Sequence, residues 1–135
     1  MSESLESLES NRTAILRQMG QVGDCRPGSI SAVSRRCGKT SCHCGDRNDP
    51  GHGPHFQMTY KVEGRTVTES LAGRASVEKA EQEIAAFRKF EKLCREFIEI
   101  NKKICRSRPI EEHADGWTVE EKKRRMESIR KWHKK

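Results

Sequence analysis

Three closely spaced cysteines constrain the fold of this chain more than any other feature of its sequence. Cys37, Cys42 and Cys44 have the spacing Cys-x-x-x-x-Cys-x-Cys, and His52 follows eight residues after the last of them. Structural zinc sites use four cysteine or histidine ligands arranged in a tetrahedron. The segment around His52 contains glycine and proline, which allow the chain to turn back towards the cysteines. We therefore predict a structural zinc site whose ligands are these three cysteines and His52.

The fourth ligand of this site is open at the level of sequence. His52 is the first choice because glycines flank it, His55 is the second, and His43 or a water molecule is the third. His43 lies between two cysteines that are two residues apart, so we expect its side chain to point away from the metal. Clustered thiolates can also hold an iron–sulfur cluster, and the plain alternative is a loop that happens to contain three cysteines.

The chemistry of the site is predicted to be structural and not catalytic. A catalytic zinc keeps an open coordination position and works with a nearby base, but the sequence has no His-x-Glu or His-Glu-x-x-His pattern. Neither a Ser-His-Asp set nor a phosphate-binding loop is recognisable. We therefore predict no catalytic residues and do not expect an enzyme.

Composition leaves little material for a large hydrophobic core. Of 135 residues, 33% are hydrophobic and 35% are charged, so a metal cross-link or a partner must share in the stabilisation. The longest apolar run, residues 84–87, is far shorter than the roughly 20 residues of a membrane span. The first residues lack the pattern of a secretory signal. We expect a cytoplasmic protein without a membrane partner, and in that compartment clustered cysteines favour metal binding over disulfides.

Periodicity predicts an α+β fold with a zinc-stapled hairpin or ribbon. Apolar spacing indicates helices over 4–20 and 77–107, the second with Ser76 as N-cap, while alternation indicates strands over 29–35, 56–62 and 65–71. Glu63-Gly64 is the predicted hairpin turn, and Thr118 with Glu121 forms a predicted capping box for a last helix. The long helix, at roughly 45 Å, must pack partly on the N-terminal helix, on a second copy or on a partner.

These elements divide the chain into four predicted regions. They are an N-terminal helix (1–22), a zinc-binding β module (23–75), a long amphipathic helix (76–108) and an acidic linker with a basic C-terminal helix (109–135). The acidic part of the linker includes Glu112 and Asp115.

Several motifs together resemble a family of small bacterial and archaeal proteins of unknown function, often encoded beside transposases. The resemblance rests on the segment 26–30 (Arg-Pro-Gly-Ser-Ile), on Cys-Gly-Lys-x-x-Cys-x-Cys at 37–44 and on His-Gly-Pro at 52–54, and it covers about residues 10–110. It implies a zinc-stapled hairpin followed by a long helix, and an association with mobile-element DNA. Members of that family commonly place two aromatic residues after His-Gly-Pro, whereas this chain has His55 and then Phe56.

The distribution of charge points to a polyanionic partner. The formal net charge is +7, and residues 121–135 alone hold eight basic and two acidic residues. Concentrated positive charge is typical of nucleic-acid binding, although a solvated helix face is the plain alternative. The predicted contact residues are Arg35, Arg36, Lys39, Arg47, Lys61, Arg65, Lys122, Lys123, Arg124, Arg125, Arg130, Lys131, Trp132, Lys134 and Lys135.

The sequence as a whole predicts a zinc-stabilised protein that binds nucleic acid, with DNA favoured, as an accessory to a transposase or similar machinery. The alternative is an adaptor that uses the long helix to form a homodimer or to dock on a partner protein.

Overall fold

Three helices and a three-stranded sheet make up the fold, which confirms the predicted α+β class. The structure, a computed structural model, describes residues 3–111 and 116–134. In chain order the elements are α1 (Leu5–Gln21), β1 (Ser29–Arg35), a short 3-10 turn (His43–Gly45), β2 (His52–Val62), β3 (Arg65–Leu71), α2 (Gly73–Ser107) and α3 (Val119–His133). The predicted linker residues Glu112 and Asp115, and Lys135, lie outside the described residues.

The sheet is antiparallel throughout, with β2 between β1 and β3. Met58 on β2 lies opposite Ile30 on one side and Glu69 on the other. Glu63 and Gly64 connect β2 to β3 with φ angles of 49° and 79°, which confirms the predicted hairpin turn. A bulge between residues 33 and 35 shifts the register of β1 near the predicted metal loop.

The core of the sheet lies on one face, beneath the first half of α2. Met58 is completely buried and packs with Leu71 of β3 and with Ala80 and Ile84 of α2. Side chains alternate between the two faces of a strand, so the apolar positions of β2 that were predicted from alternation face α2. The helix therefore covers one face of the sheet.

The second half of α2 packs against α1. The Arg12 guanidinium donates to the Asn101 side chain at 3.2 Å, while the Arg26 amide, further along the chain, meets the Glu83 carbonyl. As the chain runs forward from Arg12 in α1 to Arg26 beyond it, its contacts on α2 move backward from Asn101 to Glu83. The two helices are therefore antiparallel. Leu8 is 2% exposed, so the apolar stripe of the long helix is partly covered by α1, which was one of the three predicted coverings.

The start of α2 differs from the prediction, whereas its end does not. The helix begins at Gly73, so Ser76 lies inside it and is not its N-cap. Gly73 has a φ of 80°, and the chain turns there from β3 directly into the helix. The capping box of α3 is confirmed, because the Thr118 hydroxyl accepts from the Glu121 amide and the Glu121 carboxylate accepts from the Thr118 amide.

The third helix has the least contact with the rest of the chain. Every residue described from 116 to 134 is exposed. Within the described residues, no helix is both long enough and apolar enough to cross a membrane.

Candidate metal centre and basic surfaces

The four predicted ligands come together at one end of the sheet. Cys37 follows β1, Cys42 and Cys44 lie at the 3-10 turn, and His52 is the first residue of β2. Their ligand atoms all lie within 4.8 Å of one another. The Sγ atoms of Cys37 and Cys44 are 3.4 Å apart, and the Cys42 Sγ is 3.2 Å from the His52 Nε2. In a zinc tetrahedron, bond lengths of about 2.3 and 2.0 Å place neighbouring ligand atoms about 3.5–3.8 Å apart, so this cluster fits a metal ion.

The other histidines that sequence left open are not part of this group. His43 has its Nδ1 atom 2.9 Å from an Asp49 carboxylate oxygen, and its side chain is largely exposed. His55 lies three residues beyond His52 on β2, opposite Val33, and is not among the grouped ligands. The donor set that the structure brings together is therefore three thiols and one imidazole.

Two glycines hold His52 close to β1. Gly51 has a φ of 87°, and a Cβ atom there would lie 2.9 Å from the Arg35 carbonyl oxygen. Gly53 has a φ of 117°, and its Cβ would lie 2.9 Å from the backbone nitrogen of His55. Positive φ is unfavourable for residues with a side chain. The backbone on both sides of the histidine ligand therefore requires glycine, which explains the sequence Gly-His-Gly.

Arg36 braces the loop that carries the ligands. Its guanidinium donates to the carbonyl oxygens of Cys44, Asp46 and Asp49, the last two at 2.7 and 2.8 Å. In this loop, which has no backbone ladder, the arginine supplies donors to all three carbonyls; the Asp46 carbonyl also accepts from the Asp49 amide at 3.2 Å. Arg36 was predicted to contact nucleic acid, and that prediction stays untested, but its guanidinium is already engaged inside the loop.

Asp49 connects the middle of the loop to the histidine ligand. One of its carboxylate oxygens accepts from the Gly51 amide at 2.8 Å, beside His52, and the other lies near His43. The hydrogen bond from His43 lowers the pKa of Asp49 below its ordinary value, with the Gly51 amide as the second cause. The same contact raises the pKa of His43. The pair therefore favours a charged carboxylate in the loop.

The thiols already influence one another's protonation. The Lys39 amide, and then the Cys44 thiol, hydrogen-bond the Cys37 sulfur and lower the pKa of Cys37. The Cys44 amide lowers the pKa of Cys42, but the thiols of Cys44 and Cys37 and partial burial together raise it. Thiolates are the form that binds metal. A cation at the centre of this group would stabilise all three thiolates, so that they would no longer lower and raise one another's pKa.

The predicted basic residues occupy two regions. On the sheet and metal loop, besides Arg36, the exposed residues are Arg35, Lys39, Arg47, Lys61 and Arg65. Lys122, Lys123, Arg124, Arg125, Arg130, Lys131 and Trp132 lie on α3, and Lys134 follows it. Among the described residues, none of these cations forms an ion pair with a carboxylate. Trp132 is 75% exposed.

Sequence reasoning missed several contacts of these regions. The Arg125 guanidinium lies 5.1 Å from the centre of the Trp117 ring, so α3 contacts a residue that lies two positions before its first residue. The roles of Arg36 and Asp49 were also missed. The only available signal was that both flank the cysteine cluster, because the partners of Arg36 and one partner of Asp49 are backbone atoms, which carry no residue-specific pattern.

The fold and this site define the class to which the protein belongs: a small α+β protein built around a loop with three cysteines and one histidine. Residues 12–82, just over half of the chain, match the family described as a domain of unknown function (DUF6788). The chain belongs to that family. The match includes the whole metal loop and all three strands, whereas α3 lies outside it. No curated protein and no solved structure matches the chain.

Proposed function

We propose that this protein is a zinc-stabilised nucleic-acid-binding protein, with DNA as the favoured partner. The observation that carries the proposal is the contrast between two sets of cations. Those predicted to bind nucleic acid lack carboxylate partners among the described residues, whereas most cations of α2 are neutralised within the chain. A role beside a transposase or similar machinery is supported by the resemblance alone.

The contrast is clearest between two pairs of adjacent lysines. On α2, Lys102 lies 2.7 Å from Glu99 and Lys103 lies 3.2 Å from Glu3. On α3, Lys122 and Lys123 have no such partner within the described residues. An unpaired cation is available to replace a counterion on a phosphate backbone, and the release of those counterions drives binding. The C-terminal helix is therefore the stronger candidate for phosphate contact.

Zinc is the proposed ion because of the donor set. Three thiolates and one imidazole form a common structural zinc site, and the spacing of the four ligand atoms suits a tetrahedron. Four protein ligands would complete the coordination, which supports a structural role in place of a catalytic one. The bound ion would fix the ends of β1 and β2 relative to each other.

The nucleic-acid proposal is tested by fluorescence polarisation with a labelled duplex over a range of salt concentrations. We expect log K to fall with log salt, with a slope of about −4.5 if about five phosphates are neutralised. Replacing Lys122 and Lys123 by Gln should make that slope less steep by about 1.8. The matched control replaces Lys102 and Lys103 by Gln, which changes the charge equally but removes cations that are already paired.

Two outcomes would contradict the proposal. The first is a metal-loaded, folded protein that does not bind duplex or single-stranded DNA, or RNA, at low salt. The second is equal weakening by the α2 and α3 double substitutions, because paired and unpaired cations would then be equivalent.

The metal proposal is tested by the metal content of purified protein and by chelator titration. We expect one zinc per chain and its loss in Cys42→Ser. Replacement of Cys105, which is exposed on α2 far along the chain from the cluster, is the matched control and should leave the zinc content unchanged. Full metal binding by Cys42→Ser would remove this residue from the ligand set.

An adaptor function is the second candidate. The observation in its favour is the exposure of apolar side chains on the helices, among them Leu16 at 48% and Ile98 at 52%. In this alternative the helices dimerise or bind a partner protein and the basic residues serve solubility. A dimer in solution, combined with an absence of nucleic-acid binding, would favour the adaptor.

A further inference from the structure

The face of the sheet that does not contact α2 is polar and exposed. Because Met58 points into the core beneath α2, the odd-numbered residues 55–61 of β2 point the other way. We define the open sheet face as these four residues together with their paired neighbours on β1 and β3. Gln57 is paired with Ser70, Thr59 with Thr68, and Lys61 with Thr66. All its members are exposed or half-buried.

This face contains no carboxylate. The strands hold one acidic residue, Glu69, which lies opposite Met58 and therefore on the other face, where it is 3.7 Å from Arg26. The open sheet face instead carries hydroxyl and amide groups, with Lys61 near the hairpin end. At the opposite end Arg35 lines a shallow cleft together with His55, Gln57 and Ser70. The formal charge of the open sheet face is therefore positive, and no carboxylate on that face neutralises it.

We propose that the open sheet face contacts the sugar–phosphate backbone of duplex nucleic acid. This inference rests on the proposed function and assigns a second contact surface beside α3. Lysine, arginine, serine, threonine and glutamine side chains are the groups that hydrogen-bond phosphates in protein–DNA complexes. Six residue steps along β2 span about 20 Å, and three strands span about 10 Å. A surface of that size can follow several consecutive phosphates.

The absence of phenylalanine, tyrosine and tryptophan side chains from this face favours duplex over single strands. Proteins that bind single-stranded nucleic acid stack exposed bases on aromatic side chains. Tyr60 and Phe56 are on β2, but as even-numbered residues they share the face of Met58. The open sheet face thus offers phosphate contacts and a single imidazole ring, that of His55, so it lacks the row of rings on which successive bases stack. Binding there should depend little on base sequence.

Two matched pairs of substitutions test this surface in the full-length, metal-loaded protein. Lys61→Gln is compared with Lys89→Gln, an exposed α2 residue without an ion pair among the described residues. Gln57→Glu is compared with Gln82→Glu, the same change at an exposed position of α2. Binding of a labelled 20-base-pair duplex of arbitrary sequence is measured across salt concentrations. Circular dichroism and zinc content establish that each variant is folded.

We expect Lys61→Gln to make the salt slope less steep by about 0.9 and to weaken binding about eightfold at 0.1 M salt, the effect of one released counterion. Gln57→Glu should weaken binding by a similar factor, since it adds a negative charge to the same surface. Lys89→Gln and Gln82→Glu should change the affinity less than twofold.

The failure of this inference can be told apart from failure of the proposed function. If the wild-type protein binds neither duplex nor single-stranded DNA nor RNA, both are wrong. If it binds single strands but no duplex, only the sheet surface is wrong. If it binds duplex, and substitution of Lys122 and Lys123 weakens it while Lys61→Gln and Gln57→Glu behave as their controls, only the sheet surface is wrong. A larger loss for single-stranded than for duplex probes in Lys61→Gln would likewise overturn the assignment of duplex to this face.

Discussion

Replacing Gly53 by alanine should weaken metal binding without removing any ligand. A Cβ at this position would lie 2.9 Å from the His55 nitrogen and 3.0 Å from the Val33 carbonyl oxygen, on a backbone with φ of 117°. The Val33 oxygen lies on the neighbouring strand and the His55 nitrogen on the same strand as Gly53, and both are backbone atoms, so neither contact can be relieved by rotating a side chain. The backbone of β2 must shift locally and move away from β1, and the residue displaced next to Gly53 is His52.

The magnitude follows from comparing Gly53 with Gly38, which lies in the same loop. Gly38 also has a positive φ, 77°, but a Cβ there would meet nothing within 4 Å. Gly38→Ala should therefore weaken the free energy of zinc binding only by the cost of a side chain at positive φ, about 1–2 kcal/mol. Gly53→Ala should cost a further 1–3 kcal/mol, roughly the range for strained local geometry. Since 1.4 kcal/mol is about tenfold in a dissociation constant, the zinc Kd should rise about 5- to 150-fold beyond that of Gly38→Ala.

The assay is competition for zinc with a chromophoric chelator at neutral pH. This readout is appropriate if the metal-free loop relaxes, because the strain is then present only in the bound state. Gly20→Ala, on α1 with nothing within 4 Å, is the control and should leave the Kd unchanged. Equal affinities for Gly53→Ala and Gly38→Ala would refute the reasoning, since they would show that the close approach of β1 and β2 does not position His52.

Three further substitutions test the rest of the fold. Met58→Ala should reduce the free energy of unfolding by about 2–5 kcal/mol, because its side chain is fully buried; urea denaturation of the metal-loaded protein measures this, and a loss below about 1 kcal/mol would place the core elsewhere. Hydrogen bonding from Lys79, and then the charge of Arg26, lower the pKa of Glu83 below its ordinary value of 4.5. The ionised carboxylate therefore stabilises the fold above that pH. This contribution is lost as the pH falls through the lowered pKa. The stability difference between wild type and Glu83→Gln, measured from neutral pH to pH 3, should therefore shrink on acidification, and a difference independent of pH would contradict this. Thr118→Ala should destabilise α3 by about 0.5–2 kcal/mol, seen as lost ellipticity at 222 nm, whereas unchanged helicity would mean that the capping box is not needed.

Local patterns predicted the ligands and the strands because both depend on short stretches of chain. Three of the four grouped ligands occur within eight residues, and His52 is brought back by a short loop. The alternation around Met58 identified the strand and its buried face. The hairpin turn at Glu63 and Gly64 was likewise a property of two adjacent residues. In each case few conformations compete with the one that the residues favour.

Features that depend on distant parts of the chain were not predictable in the same way. The bond between Arg12 and Asn101 joins residues 89 positions apart, and periodicity could only offer three coverings for the long helix. Arg36 looked like one more exposed cation, because its partners are carbonyl groups that every residue possesses. The free face of the sheet could be identified only after α2 had been placed on the other face.

The distribution of buried residues explains why a chain with so few hydrophobic residues would use a metal. Between residues 36 and 51, Cys44 is the only buried residue, at 1% exposure. The order of that segment therefore depends on its ligands and on the hydrogen bonds of Arg36 and Asp49, and not on apolar burial. Because the metal would replace a core there, side chains such as Lys39 and Arg47 need not face inward. The cations of the loop are therefore exposed to solvent, as the proposed contact with a nucleic acid requires.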